Sequence, residues 1–161
     1  GGRVRVGFLS STWNDNGVGM FKKDWKLWAL CRDHAKIECY VLSTGDTNIS
    51  QSPLLEISKG IGADHILDVT TQDTAKASKI ITSARIDVLL DINGYTEGTR
   101  PDLIAHPSKV APVLAMYHGY EGTYGGEPSM FDHVFSDVRV SPPDLAGPVD
   151  SIENITSYIV A

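Results

Sequence analysis

The chain has 161 residues, of which 42% are hydrophobic and 21% are charged, and its formal net charge is −6. This length is enough for one domain with its own hydrophobic core. The acidic balance argues against nucleic-acid binding and against a membrane surface, because both kinds of partner favour basic patches. No apolar run approaches the ~20 residues of a membrane-spanning helix. We therefore expect a globular domain whose partners are neither nucleic acids nor membranes.

Short apolar strands alternate with amphipathic helices along the whole chain. Strands are predicted over Arg3–Leu9, Ile37–Leu42, His65–Val69, Ile86–Ile92, Val110–Met116, Asp132–Ser136 and Ser157–Val160. Helices are predicted over Met20–Ala35, Pro53–Ser58, Thr70–Ala84 and Pro101–Ala105, the third of them capped by Thr70 or Thr71. This alternation predicts an α/β fold, a Rossmann-like, doubly wound, mainly parallel sheet with helices on both faces.

Two glycine-bearing loops follow neighbouring strands of the predicted sheet. One runs from Asn93 to Arg100 and the other from Tyr117 to Gly126. Since open α/β folds bind ligands at the carboxyl ends of their strands, both loops should border one cleft. Glycines in such loops let backbone N–H groups approach a phosphate or a sugar closely. The residues predicted to line this cleft are Asn93, Tyr95, Thr96, His118, Gly119, Tyr120, Gly122 and Thr123.

Several single residues have more than one interpretation. Asp68 ends the third strand, where its carboxylate could act as a general base or hydroxyl acceptor, or could stabilise a turn. Arg100 could reach a phosphate or pair with Asp91 or Asp102, and we favour the salt bridge. His65 is predicted to be structural. The five histidines have no metal-ligand spacing, so no metal site is predicted.

We predict no special function for the loop after the first strand, over residues 10–19, or for the two cysteines. Gly17 and Gly19 precede a helix, but Lys22 breaks the dinucleotide-binding pattern, so a flexible turn is favoured. Cys31 and Cys39 do not form a CxxC pair, and we expect two buried thiols rather than a disulfide or a metal pair. Buried thiols fit a reducing, intracellular compartment.

Four motifs carry a likeness to a known family. They are RVGFLSS at 5–11, DINGYTEGTR at 91–100, AMYHGYEGT at 115–123 and FDHVFSD at 131–137, with Ser141-Pro142 following. In this order and spacing they resemble the N-terminal half of the catalytic region of O-GlcNAc transferases and their SPINDLY-type relatives. The resemblance implies one Rossmann-like domain over residues 1–161, equivalent to the first lobe of a GT-B glycosyltransferase. We expect the second, donor-binding lobe and the preceding TPR repeats of that family to be absent from this chain.

The resemblance also implies an activity. Enzymes of this family transfer N-acetylglucosamine from UDP-GlcNAc, or fucose from GDP-fucose in the SPINDLY branch, to Ser or Thr hydroxyls of nuclear and cytosolic proteins. The nucleotide sugar is a substrate, and no cofactor is implied. The implied partners are a second catalytic lobe or partner chain and a protein acceptor, and the implied location is cytoplasmic or nuclear. Asp68 matches an aspartate proposed as catalytic in the family. The resemblance also adds Asn16 to the residues predicted to line the cleft.

The chain departs from the family pattern in the first loop, where Asn16, Gly17 and Met20 stand in place of two histidines and a proline. Asparagine and methionine cannot act as a general base near neutral pH, so we expect this lobe not to catalyse by itself. Glu121 also replaces a family proline. The alternative is a degenerate, non-catalytic lobe that binds a protein or a ligand, with an exposed Trp13 at the interface. A receiver-like module is less favoured, because the end of strand one supplies no acidic cluster.

Overall fold

Seven parallel strands form one sheet in a computed structural model of the chain, within the residues that the structure describes: 2–14, 31, 35–48, 53–94, 96–117, 130–136 and 158–160. The strands are β1 (Val4–Ser10), β2 (Ile37–Ser43), β3 (Ile66–Asp68), β4 (Val88–Asp91), β5 (Val113–Tyr117), β6 (His133–Ser136) and β7 (Tyr158–Val160). Each predicted strand is confirmed, with ends that shift by a few residues.

The strand order places β1 in the interior of the sheet. Along the sheet the strands lie in the order β3-β2-β1-β4-β5-β6-β7. Leu9 of β1 lies opposite Leu42 of β2 on one side and opposite Asp91 of β4 on the other. This order is that of doubly wound sheets and creates a topological switch point between β1 and β4, where the chain connections leave in opposite directions. The predicted Rossmann-like parallel sheet is confirmed, and its ligand edge is expected at the carboxyl ends of β1 and β4.

Helices cover both faces of this sheet, as predicted. Their described bounds are α1 (Leu54–Ile61), a 3₁₀ turn (Ala63–His65), α2 (Thr74–Ser83) and α3 (Pro101–Ile104). Pro53 immediately precedes α1, and Pro101 is the first residue of α3. Proline suits these positions because its fixed φ is helical and its missing N–H would have no partner in the first turn.

The start of α2 differs from the prediction. Neither Thr70 nor Thr71 caps this helix; the Asp73 carboxylate does so, accepting the Lys76 N–H at 2.8 Å. The Thr70 hydroxyl donates instead to the Gly45 carbonyl at 2.6 Å, in the loop after β2. The Thr70 hydroxyl, which the local sequence pattern predicts as a cap of α2, is therefore used in a tertiary contact.

Strand side chains alternate between two cores, one on each face of the sheet. On the face covered by α2 and α3, the buried side chains include Leu9, Leu42, Ile81, Leu89, Leu103 and Leu114. On the face covered by α1, they include Phe8, Val41, Leu54, Ile57, Leu90 and Ala115. Burying one Leu or Phe side chain contributes roughly 1.5–3 kcal/mol. Because a slip of one residue would turn every strand side chain to the other face, this burial fixes the register and the position of the carboxyl edge.

Two expectations about side chains packed on β2 are wrong. Cys31 and Cys39 are joined by a disulfide, with Cα atoms 5.6 Å apart, rather than being free thiols. Most of the helix predicted over 20–35 lies outside the described residues, but Cys31 is helical. Trp13 is fully buried rather than exposed, and its indole N–H donates to the Leu42 carbonyl at 3.2 Å. Trp13 is therefore a core residue and offers no exposed surface to a partner.

His65 is structural, as predicted. Its Nδ1 lies 3.0 Å from the Cys39 carbonyl oxygen, and its ring stacks on Tyr40 with centroids 4.3 Å apart. In the described part of the chain, no group of three or more His, Cys, Asp or Glu side chains is placed to hold a metal ion. No helix among the described residues is long and apolar enough to cross a membrane.

Candidate functional site

The side chain of Asn93 joins the ends of β1 and β4 at the switch point. Asn93 is buried, and its Oδ1 accepts hydrogen bonds from Ser10 Oγ at 3.0 Å, Ser11 N at 3.0 Å and Ser11 Oγ at 2.9 Å. Its Nδ2 donates to the Glu97 carbonyl at 3.3 Å. One amide group thus ties the loop after β1 to the loop after β4. Asn93, predicted for the cleft, lies at the carboxyl edge of the sheet with its side-chain amide bonded to protein groups.

The backbone of the same loop is fixed by Asp91, the last residue of β4. The buried Asp91 carboxylate accepts the N–H groups of Asn93 at 2.8 Å and Gly94 at 3.2 Å. Gly94 has a φ of 58°, which glycine adopts without a Cβ clash, so the Asn-Gly turn expected from sequence is confirmed. Thr96, the other described cleft candidate of this loop, is exposed, and its hydroxyl donates to the Asn93 carbonyl at 2.7 Å.

Two glycines let the loops after β2 and β4 close on Ser11. A Cβ at Gly45 would lie 2.0 Å from the Ser11 carbonyl oxygen, and one at Gly98 would lie 2.4 Å from the Ser11 Cβ. Gly98 also has a φ of 79°, in the left-handed region. The three loops therefore meet at a spacing that no residue with a side chain could reproduce at these positions.

The first two backbone N–H groups after each of β1, β2, β3 and β4 donate to acceptors inside the protein. The bonds, between 2.8 and 3.3 Å, run from Ser11 to Asn93 Oδ1, Thr12 to Ser10 Oγ, Thr44 to the Ser10 carbonyl, Gly45 to Ser43 Oγ, Val69 to the Ser43 carbonyl, Thr70 to Asp68 Oδ1, Ile92 to the Leu9 carbonyl and Asn93 to Asp91 Oδ1. A phosphate would have to displace these bonds. These amides therefore do not form the open phosphate cradle that glycine-rich loops can supply.

Asp68 has the turn-stabilising role considered for it, and its role as a base stays a prediction. Its Oδ2 accepts the Thr47 hydroxyl at 3.2 Å, and its Oδ1 accepts the Thr70 N–H at 2.9 Å, which makes a turn after β3. The residue is nevertheless exposed at the carboxyl edge of the sheet. Two donors from the protein side thus orient a carboxylate that solvent can reach, which is the arrangement expected of a hydroxyl or proton acceptor.

Arg100 forms the predicted salt bridge, with Asp102 as its partner. The pairing is bidentate, with Nε to Oδ1 at 2.9 Å and Nη2 to Oδ2 at 2.7 Å. The hydrogen bond from the guanidinium lowers the pKa of Asp102 to about 2, and the Thr74 hydroxyl, which donates at 2.7 Å, acts in the same direction. Arg100 is consequently occupied by protein partners and is a poor candidate for a phosphate contact.

Thr44 is a residue of this edge that sequence reasoning missed. Its Oγ1 is buried without a hydrogen-bond partner among the described residues. Buried hydroxyls in proteins are normally paired, so this unpaired hydroxyl is an exception at the end of β2, but it has no exposed surface through which a ligand could reach it. No sequence signal could have singled it out, because Ser and Thr are common wherever a strand turns into a loop.

The structure brings Asp68 and Asn93 to the same carboxyl edge of the sheet, separated by the ends of β2 and β1. The other predicted cleft residues apart from Thr96 lie outside the described residues: Asn16, Tyr95, His118, Gly119, Tyr120, Gly122 and Thr123. The same is true of Gly17 and Gly19. Of the predicted site residues, the structure therefore describes Asp68 at the end of β3 and Asn93 and Thr96 after β4.

An open, doubly wound parallel sheet with a polar edge at its switch point defines a Rossmann-like domain. The family model of glycosyl transferase family 41 matches residues 1–153. The chain belongs to this glycosyltransferase family.

Relatives of the chain are much longer than it is. It is 29% identical over 144 residues to a probable UDP-N-acetylglucosamine–peptide N-acetylglucosaminyltransferase, SEC, of Arabidopsis thaliana, covering 89% of this chain and 14% of that protein. It is 29% identical over 149 residues to the UDP-N-acetylglucosamine–peptide N-acetylglucosaminyltransferase of Caenorhabditis elegans, covering 91% of this chain and 12% of that protein. Among solved structures, a mutant O-GlcNAc transferase of Thermobaculum terrenum matches 98% of this chain and 27% of its own, with a TM-score of 0.76 and 20% identity. The last comparison shows the shared fold.

Proposed function

We propose that the chain is the first of two lobes of a protein O-glycosyltransferase that transfers N-acetylglucosamine from UDP-GlcNAc to Ser or Thr hydroxyls. The observation that carries the proposal is the family 41 match over residues 1–153. Two relatives at 29% identity bear names for this activity. Because the chain spans 14% or less of those two proteins, a complete enzyme needs parts beyond the matched segment, including a lobe that binds the donor.

The geometry of the carboxyl edge supports this division of labour. The first two amides after each of β1 to β4 are already bonded within the protein. Asp46, Asp68 and Glu97 are exposed here, while Arg100 is paired with Asp102. Like charges repel, so this described edge is an unfavourable host for a diphosphate by itself. The donor diphosphate is therefore held mainly by the second lobe, and this lobe presents the acceptor side of the cleft.

Asp68 is the candidate general base for the transfer. The acceptor hydroxyl oxygen forms a bond to the anomeric carbon of the sugar. The bond from that carbon to the diphosphate oxygen breaks, and its electron pair leaves with the nucleoside diphosphate. The hydroxyl proton passes to the Asp68 carboxylate, which Thr47 and Thr70 orient from the protein side.

Transfer of radiolabelled N-acetylglucosamine to a Ser/Thr peptide tests the proposal. We expect background activity from the 161-residue chain and clear transfer from a longer form of the same protein that includes the second lobe. In that longer form, Asp68→Asn is expected to lower kcat by about 10²-fold or more. The matched control is Asp46→Asn, which neutralises another exposed carboxylate of the same edge and should keep most activity. Transfer by the isolated chain well above background would refute the two-lobe requirement.

The alternative is a degenerate, non-catalytic lobe that binds a protein or a ligand. One observation favours it, namely that Asn16 and Met20 stand where the resemblance implies histidines. The burial of Trp13 removes the exposed aromatic residue that an interface would have used. The transfer assay together with a UDP-GlcNAc binding measurement separates the two functions, because a longer form that binds UDP-GlcNAc without transferring the sugar would favour the alternative.

A further inference from the structure

The guanidinium of Arg100 reaches beyond its salt bridge into the loop that follows Asp68. Its Nη1 donates to the Val69 carbonyl at 2.8 Å and to the Gln72 carbonyl at 3.2 Å. With the two bonds to Asp102, one side chain at the start of α3 makes four hydrogen bonds. These bonds connect the first turn of α3 to the segment between β3 and α2, about 30 positions earlier in the chain.

The contact with Val69 acts on Asp68 through a single peptide unit. The Val69 carbonyl and the Thr70 N–H belong to the same planar peptide group, so fixing the carbonyl fixes the direction of the N–H. That N–H donates to Asp68 Oδ1 at 2.9 Å. A positive charge on the carbonyl also polarises the peptide, which strengthens the donation from the opposite end. The guanidinium therefore determines both the direction and the strength of a bond to the candidate base.

The neighbouring contacts leave this peptide little freedom. Val69 is fully buried, and its own N–H donates to the Ser43 carbonyl at 2.9 Å. The Arg100 guanidinium is held in turn by Asp102, which also accepts the Thr74 hydroxyl at 2.7 Å. A planar fork with several donors can satisfy a carboxylate and two carbonyls at once, whereas the single ammonium of a lysine cannot do so in the same geometry.

We propose that Arg100 is a positioning residue that orients the Asp68 carboxylate for proton transfer, acting through the Val69–Thr70 peptide. The inference rests on the proposed function for the role of Asp68, but the contact itself is independent of it. Arg100 touches neither substrate nor reacting atoms in this account. Its effect should appear in the reaction rate and not in the binding of substrate.

Amide hydrogen exchange of the 161-residue chain, followed by NMR, tests the contact without any need for activity. The Thr70 N–H is the reporter, because it donates to the Asp68 carboxylate. In Arg100→Gln we expect hydrogen exchange at Thr70 to quicken about tenfold or more. Arg100→Lys keeps the charge without the fork and is expected to show the same loss of protection. Unchanged exchange at Thr70 in both variants would overturn the proposal.

Two controls separate positioning from general loss of stability. The Asn48 N–H donates to Asp46 Oδ1 at 2.9 Å in an equivalent turn, so its exchange rate should stay constant in every variant. Lys109→Gln breaks another ion pair, with Asp132 at 2.8 Å, and should leave exchange at Thr70 unaffected. If exchange at Asn48 quickens in parallel with that at Thr70, the loss is global and Arg100 is merely structural.

The catalytic consequence is measured in the longer form that includes the second lobe. Arg100→Gln is expected to lower kcat about tenfold or more while KM changes less than twofold. Activity of the unsubstituted longer form tests the proposed function separately, so the two can fail independently. A variant that retains kcat in an active enzyme would contradict the positioning role.

Discussion

Replacing Asn93 with alanine removes the acceptor that holds the loop after β1. Ser10 Oγ and Ser11 N lose a partner at 3.0 Å, and Ser10 is fully buried. A buried donor left without a partner costs about 1–3 kcal/mol. Ser10 Oγ still has Thr12 Oγ1 at 3.3 Å and Ser11 Oγ keeps the Glu97 carbonyl, so the main loss is the partner of the half-buried Ser11 N–H. We therefore expect Asn93→Ala to lower the free energy of unfolding by roughly 2 kcal/mol, out of the 5–15 kcal/mol typical of a domain.

Urea denaturation followed by the fluorescence of the chain measures this loss, with Trp13 as a buried reporter beside β2. Thr96→Ala is the matched control, because it removes one exposed hydrogen bond from the same loop and should cost about 0.5 kcal/mol. A double-mutant cycle with Ser10→Ala should give a coupling energy of about 1 kcal/mol. A loss below about 1 kcal/mol for Asn93→Ala would show that the amide does not carry the contact between the two loops.

Three further predictions concern other parts of the fold. The pKa of Asp102 is lowered to about 2 by Arg100, so the pair stabilises the fold above pH 4, and this contribution is lost as the pH falls from about 4 towards 2. Since the Asp102 side chain is 36% exposed, solvent screening limits the effect to about 1 kcal/mol, and Asp102→Asn should flatten that part of the stability–pH curve. Reduction of the disulfide between Cys31 and Cys39 should cost about 2.5 kcal/mol by loop entropy and lower Tm by roughly 5–10 °C, whereas the Cys31→Ser, Cys39→Ser variant should not respond to reductant. An unchanged Tm would show that the crosslink does not form in solution. Gly98→Ala should destabilise the fold by about 1–3 kcal/mol in urea titrations, because a Cβ there meets the β1 turn at a φ of 79°; a neutral result would mean that the loop can move aside.

Local pattern was sufficient for the architecture. The alternation of apolar strands and helices predicted the parallel sheet, because a strand covered on both faces must be apolar almost throughout. Pro53 and Pro101 marked two helix starts correctly, since the fixed φ of proline acts within its own turn. The Asn-Gly turn after β4 was predicted for the same reason, as Gly94 takes its left-handed φ locally.

Sequence reasoning failed at residues whose structure is determined by contacts with distant parts of the chain. Trp13 is buried because its indole meets the Leu42 carbonyl, a partner 29 positions away. The spacing of the two cysteines does not predict their disulfide, because it does not show that the helical Cys31 lies next to Cys39 in β2. Thr70 was assigned to the helix cap, but its hydroxyl bonds the Gly45 carbonyl in another loop.

At the candidate site, too, local features were predicted and distant contacts were not. Sequence reasoning correctly placed Asp68 at the carboxyl edge of the sheet, because the topology of parallel strands determines that edge. It also anticipated the salt bridge of Arg100, whose partner Asp102 is two residues away. It could not anticipate that Arg100 reaches Val69, or that Asn93 bonds to Ser10 and Ser11, because these contacts depend on how distant loops fold together.

The most direct test of the account compares UDP-GlcNAc binding by the 161-residue chain with binding by the longer form that includes the second lobe, using calorimetry together with NMR amide shifts of the isolated chain. We expect an affinity at least about 100-fold weaker for the isolated chain, because the first two amides after each of β1 to β4 are already bonded. We also expect no saturable shifts at Ser11, Thr70 or Asn93 with millimolar ligand. Equal affinities, with saturable shifts at those amides, would contradict the claim that this lobe supplies the acceptor side of the cleft and leaves the donor to its partner lobe.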